Sequence, residues 1–100
     1  MTSLGLTLSE LEAICSVLAE HHDITRAMVF GSRANGTHRP NSDIDIALDG
    51  NISPLEAESI AGDLEELPLP YRFDVIALRH ITNEALLKHI ERVGVDLRRQ

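Results

Sequence analysis

Two aspartates separated by one isoleucine, Asp43 and Asp45, follow the pair Gly31 and Ser32 after ten residues of polar loop, in the stretch FGSRANGTHRPNSDIDIAL. On an extended strand, residues two apart lie roughly 6.6 Å from each other on the same face, so both carboxylates project from one side while Ile44, Ile46 and Leu48 take the other. Carboxylates held side by side repel, and the arrangement becomes favourable when hard divalent cations lie against them. Mg²⁺ suits such an all-oxygen set, and carboxylates at this spacing can bracket two ions roughly 3.5 to 4 Å apart, the separation used in two-metal phosphoryl chemistry. Gly31 and Ser32 would form the other end of that chemistry. A missing Cβ lets the backbone approach a phosphate, and a helical turn starting at Ser32 would point N–H groups and a hydroxyl at an anion. Arg33 is a candidate to add a cation at the β- or γ-phosphate. A third acid, Asp74, interrupts the apolar run FDVIAL, where an unpaired buried charge would cost several kcal/mol. If that run pairs beside the strand at Ile44, Asp74 joins Asp43 and Asp45 in one cluster.

Taken one at a time, these residues leave plainer readings open. Asp43 could close a turn and Asp45 could be a solvated residue of an edge strand. Asp74 could pair with Arg72, Arg79 or Arg33, while Arg33 could lie on the surface and Gly36 could serve its turn alone. The combination is more restrictive than its parts: a strand ending in Gly-Ser, a ten-residue loop, D-x-D entering a second strand and a lone aspartate in a third. The common phosphate loops G-x-x-x-x-G-K-[ST] and G-x-G-x-x-G are absent.

The elements that would position these groups follow from periodicity and caps. Leu8, Leu11, Ile14, Cys15 and Leu18 recur at helical spacing and predict a helix from Leu8 to about His21, with Thr7/Glu10 or Ser9/Glu12 as a capping box. Thr25 to Phe30 reads as a short buried strand, and Ile44 to Leu48 as a second. Ser53 as N-cap, Pro54 at the first helical position and Glu56 three residues after the cap open another helix, with Ala57, Ile60, Ala61 and Leu64 as its buried side. Two prolines in LPLPYR end it, and Phe73 to Leu78 forms a third strand. Thr82 is expected to cap a last helix from Asn83 to about Arg92, which turns Leu86, Ile90 and Val93 inward and stops at Gly94; Val95 to Leu97 adds a short final strand. The result is one α/β layer structure spanning residues 1–100, with no internal repeat or linker.

Composition narrows the partners. One hundred residues with 43% apolar content make one domain, and a net charge of -7 with scattered basic residues, apart from Arg98 and Arg99, excludes strong unaided nucleic-acid binding. The few aromatics, Tyr71 and Phe73 among them, point the same way. One cysteine, Cys15, sits in the apolar helical pattern and fits a reducing compartment, and the N-terminus lacks the features of a signal peptide, so a cytoplasmic protein with no membrane span is expected. His21 and His22 are expected at the end of the first helix, interacting with its terminus, and lack a third ligand at zinc spacing. His38 reads as a solvated loop residue.

The stretch FGSRANGTHRPNSDIDIAL resembles the G-S-x10-D-x-D signature of the polymerase-β-like nucleotidyltransferase superfamily, FDVIAL matches the place of that superfamily's third carboxylate, and the element order is similar over nearly the whole chain. Its size is similar to that of the minimal nucleotidyltransferases. The resemblance implies an α/β fold with a small mixed sheet flanked by helices, two Mg²⁺ ions and ATP or another nucleoside triphosphate as substrate. Carried over to these positions, Asp43 and Asp45 would ligate both metals, and Asp74 would ligate the catalytic one and help deprotonate the acceptor. Gly31 and Ser32 would bind the β- and γ-phosphates. The position after GSRA, often basic in relatives, is Asn35 here. Minimal members often work beside a helical partner of the HEPN type, and some are antitoxins that transfer AMP to a tyrosine of that toxin. A 100-residue catalytic core is expected to need such a partner for acceptor recognition, or to modify the partner itself. The alternative is a silent binding module that neutralises the partner by contact alone.

Overall fold

The computed structural model describes residues 4–37, 39 and 42–99. Its helices are α1 (Leu8–Ala19), the single turn α2 (Ser32–Asn35), α3 (Pro54–Glu65) and α4 (Glu84–Val93); its strands are β1 (Ile24–Phe30), β2 (Ile44–Gly50), β3 (Phe73–Ala77) and β4 (Val95–Asp96). Short 3₁₀ turns occupy Leu78–His80 and Leu97–Arg99.

Local sequence accounts for most of these boundaries. Thr7 and Glu10 form the reciprocal capping box of α1, with Glu10 N donating to Thr7 Oγ1 at 3.1 Å and Thr7 N to Glu10 Oε1 at 2.9 Å. Ser53 caps α3 by accepting from Glu56 N, and Pro54 opens that helix. The cap of α4 is Asn83 rather than the expected Thr82: Asn83 Oδ1 accepts from the amides of both Ala85 and Leu86, which places the helix start one residue later. Strand β2 runs two residues beyond the expected Leu48 because Gly50 pairs with Ile24 across a register shift in β1. Gly50 has φ +127°, and a Cβ there would collide with the Asp23 carbonyl oxygen, so glycine is needed where the ladder ends.

The sheet has the order β3-β2-β1-β4, with β1 antiparallel to β2 and β4, and β2 parallel to β3. Helix α3 makes the crossover that a parallel pair requires. One face is sealed. Leu11, Ile14 and Leu18 of α1 and Ala57, Ile60 and Leu64 of α3 pack against Ala27, Val29, Ile44, Ile46, Leu48, Phe73, Val75 and Ala77. Each fully buried Leu or Ile there contributes about 1.5 to 3 kcal/mol. Leu8, expected on that buried stripe, is 63% exposed. The opposite face carries a smaller cluster of Met28, Phe30, Ala47, Leu78 and Ile90, flanked by the partly buried Leu86, Leu87 and Val93 of α4. The rest of that second face is where the acidic side chains emerge.

Candidate active site

The three aspartates meet through strand register. Asp45 lies on β2 directly between Phe30 of β1 and Asp74 of β3, and the parallel pairing of β2 with β3 puts Asp45 and Asp74 on one face. Asp43 precedes β2 by one residue and shares that side by alternation. Asp43 and Asp74 are exposed, and Asp45, in the inner strand, is partly buried. Burial first, and then the charges of Asp74 and Asp43, push the Asp45 carboxyl above its ordinary value of 3.8. The alternative in which Asp74 is neutralised by an arginine is not what forms among the described residues: Arg79 pairs instead with Asp49, and Arg33 is engaged elsewhere.

Gly31 stands at the end of β1 as the N-cap of α2, with φ +74° and ψ -148°. A Cβ built on it would collide with Asp45 Oδ2. The glycine is therefore required twice, by its positive φ and by the carboxylate that occupies the space of a methyl group. By helix geometry the first-turn N–H groups of α2 have no acceptor within the helix, and Gly31 and Ser32 lie beside the acidic cluster. Hydrogen-bond donors at a loop and carboxylates at a strand thus adjoin.

Arg33, the candidate cation for the triphosphate, is a buried residue. It is 1% exposed, its Nη1 donates to Leu4 O at 3.0 Å, and its Nε and Nη2 donate to Ser42 O at 3.3 and 3.0 Å. Its guanidinium also stacks over the Tyr71 ring, 4.6 Å from the centroid. A guanidinium held this way ties the segments of Leu4, Ser42 and Tyr71 together. His38 lies outside the described residues. His21 approaches Asp63 of α3 at 3.4 Å instead of serving only the terminus of α1. Cys15 is half-buried with its Sγ 3.9 Å from Leu97 O, and burial pushes its thiol up, away from nucleophilic character.

A cleft of about 540 Å³ opens along β3, the outer strand, lined by Asp74, Ile76, Ile81, Asn83 and Leu86 together with Ala57 at the start of α3. Asp74 therefore belongs both to the carboxylate cluster and to the wall of a cavity. No sequence signal marks this cleft, because residues from the start of α3, from β3 and from the start of α4 line it together.

A hard divalent cation fits the chemistry of these donors, since a carboxyl raised by burial first and then by two neighbouring acids is the situation such an ion relieves. The acids act on one another without enclosing an ion: among the described residues, no three His, Cys, Asp or Glu side chains converge into a ready-made coordination sphere.

The family model described as Polymerase beta, Nucleotidyltransferase matches residues 12–99. The chain belongs to that nucleotidyltransferase family. No curated protein sequence matches it significantly. Solved structures do: a toxin-antitoxin complex with AMP-PNP superposes with a TM-score of 0.74 at 26% identity, covering 87% of this chain and 71% of that one. A minimal nucleotidyltransferase gives 0.67 at 29% identity, with 87% and 88% covered. The complex of a tri-AMPylated Shewanella oneidensis HEPN toxin with its MNT antitoxin gives 0.69 at 21%, with 89% and 69% covered, a likeness of fold. This nucleotidyltransferase is thus a small mixed α/β enzyme of the expected class. Among its described residues no helix is long and apolar enough to cross a membrane.

Proposed function

We propose that this nucleotidyltransferase transfers AMP from ATP to a hydroxyl, in the first instance a tyrosine, of a HEPN-type helical partner encoded beside it in the same cytoplasm, and so acts as an antitoxin. The observation that carries the reading is the register of β2 against β3, which sets Asp45 beside Asp74 with Gly31 packed against the Asp45 carboxylate. The AMP-PNP bound by one structural relative and the AMPylated toxin held by another support nucleotide and acceptor respectively.

In this reading Asp43, Asp45 and Asp74 hold two Mg²⁺ ions, and the backbone N–H groups and hydroxyl at Gly31 and Ser32 hold the β- and γ-phosphates. When bound, the ions would lower the pKa of the attacking hydroxyl and neutralise the triphosphate. The acceptor enters through the cleft beside β3, and Asp74, on its wall, takes the hydroxyl proton. The acceptor oxygen forms a bond to the α-phosphorus as the bond to the β-phosphate oxygen breaks, so AMP is esterified to the acceptor and pyrophosphate leaves.

The test incubates the protein with Mg²⁺, α-labelled ATP and the product of the adjacent reading frame. Label should appear on that partner and disappear with Asp45→Asn or Asp43→Asn. Neutralisation of the partner without label, surviving both substitutions, would establish contact alone as the mode of action.

A further inference from the structure

The geometry points to Arg33 as a positioning residue that fixes the phosphate loop and the carboxylate strands relative to one another, a role that rests on the site proposed above. Arg33 immediately follows Ser32. Its Nε and Nη2 hold the carbonyl of Ser42, the residue before Asp43, and its guanidinium lies on Tyr71, three residues before Asp74. One buried side chain therefore reaches all three segments that carry the site. Its outer contacts are held in turn: Nη1 donates to Leu4 O just ahead of α1, and the Tyr71 hydroxyl donates to Glu10 Oε2 at 2.9 Å. Glu10 is itself fixed by the capping box of α1, so the helix start, the loop and the approach to β3 share a single junction. A buried cation without such acceptors would be strongly destabilising, and the carbonyls of Leu4 and Ser42 meet its N–H groups directly while the Glu10 carboxylate is reached through Tyr71. The planar fork is what makes the arrangement possible, because it offers separate N–H groups in fixed directions while its face stacks on the ring.

The test compares Arg33→Lys with Arg33→Met in the full chain. Lysine keeps the charge but has a single nitrogen, which does not reproduce the fork to Leu4 and Ser42. A positioning role predicts no rescue: both variants unfold cooperatively and both lose kcat by on the order of 100-fold, the loss that roughly 1 Å of misplacement brings, with a smaller change in KM for ATP. In the ligand-free protein, the backbone amide resonances of Asp43, Asp45 and Asp74 should move together in both variants. That readout needs no activity, so an inactive wild type would refute the transferase reading and leave this one to be decided by the resonances. Wild-type kcat in Arg33→Lys, or a KM effect that lysine rescues, would overturn the proposal in favour of a charge directed at the triphosphate. Resonances that stay in place in folded variants would overturn it as well. Should both variants fail to fold, Tyr71→Leu removes the stacking ring and leaves the bonds to Leu4 and Ser42; the Asp74 resonance and kcat should still shift, and an unmoved Asp74 would break the link to β3.

Discussion

Strand β2 carries two partly buried carboxylates on one face of the sheet, four residues apart, in opposite surroundings. Asp49 accepts from Arg79 Nε at 3.2 Å and lies 3.9 Å from Arg26 Nη2, so its charge is met by two cations of the chain itself. Asp45 faces Asp74 and Asp43, and burial first, then both of these charges, push its carboxyl up. The same residue type on the same strand is thus balanced internally at one end and left in deficit at the other. A deficit of that kind is stable only because the fold provides for it elsewhere, through the sealed core of the opposite face. It marks the end of the sheet where a cation from outside has something to gain.

The largest effect should come from breaking the unbalanced end. Asp45→Asn removes a candidate metal ligand, and several kcal/mol of lost transition-state stabilisation corresponds to a fall of about 1000-fold in nucleotidyl transfer, measured with labelled ATP. Gly31→Ala comes next. Its methyl group would displace the Asp45 carboxylate and strain a backbone at φ +74°, and should lower stability by about 1 to 3 kcal/mol in urea denaturation while reducing transfer at least 100-fold.

A smaller effect sharpens the contrast by sign. Because the folded state raises the Asp45 pKa, it holds that proton at pH values where the unfolded chain has released it, and stability falls as pH rises through the window above 3.8. The deficit then persists at neutral pH. Asp45→Asn should therefore melt higher than the wild type at pH 7, by about a few degrees, and the gap should close as pH falls below the raised Asp45 value; calorimetry across pH checks both. Asp49→Asn should do the reverse. It loses pairs whose arginines are 49% and 60% exposed, so stability should drop by about 1 kcal/mol or less, with transfer unchanged.

The contrast between the two aspartates was only half legible in the sequence. The D-x-D alternation, the caps at Thr7 and Ser53 and the three main strands are local signals, readable from spacing and side-chain chemistry within a few residues. The pairing of Asp74 with Asp45 followed from topology conditionally, since a parallel neighbour can be anticipated and a register cannot. The burial of Arg33 was not legible because its acceptors at Leu4 and Ser42 and its ring at Tyr71 come together only in the folded chain. The Arg26–Asp49–Arg79 set escaped for the same reason, and the cleft at β3 because it is a gap between elements rather than a property of any one of them. Thr82 and Asn83 are both competent caps, and only the geometry of the turn selects Asn83.

The contact between Gly31 and Asp45 has a consequence for how substitutions combine. Because the carboxylate of one fills the space that a side chain of the other would need, the two positions behave as a single locus shared by a helix cap and a strand. Gly31→Ala should cost less stability once Asp45 is already alanine, with the strain of φ +74° remaining, so that the two effects are non-additive by the part that the collision contributes. A lineage that lost the acid would keep only the backbone demand of φ +74° on the glycine, and one that keeps the acid meets both demands at once.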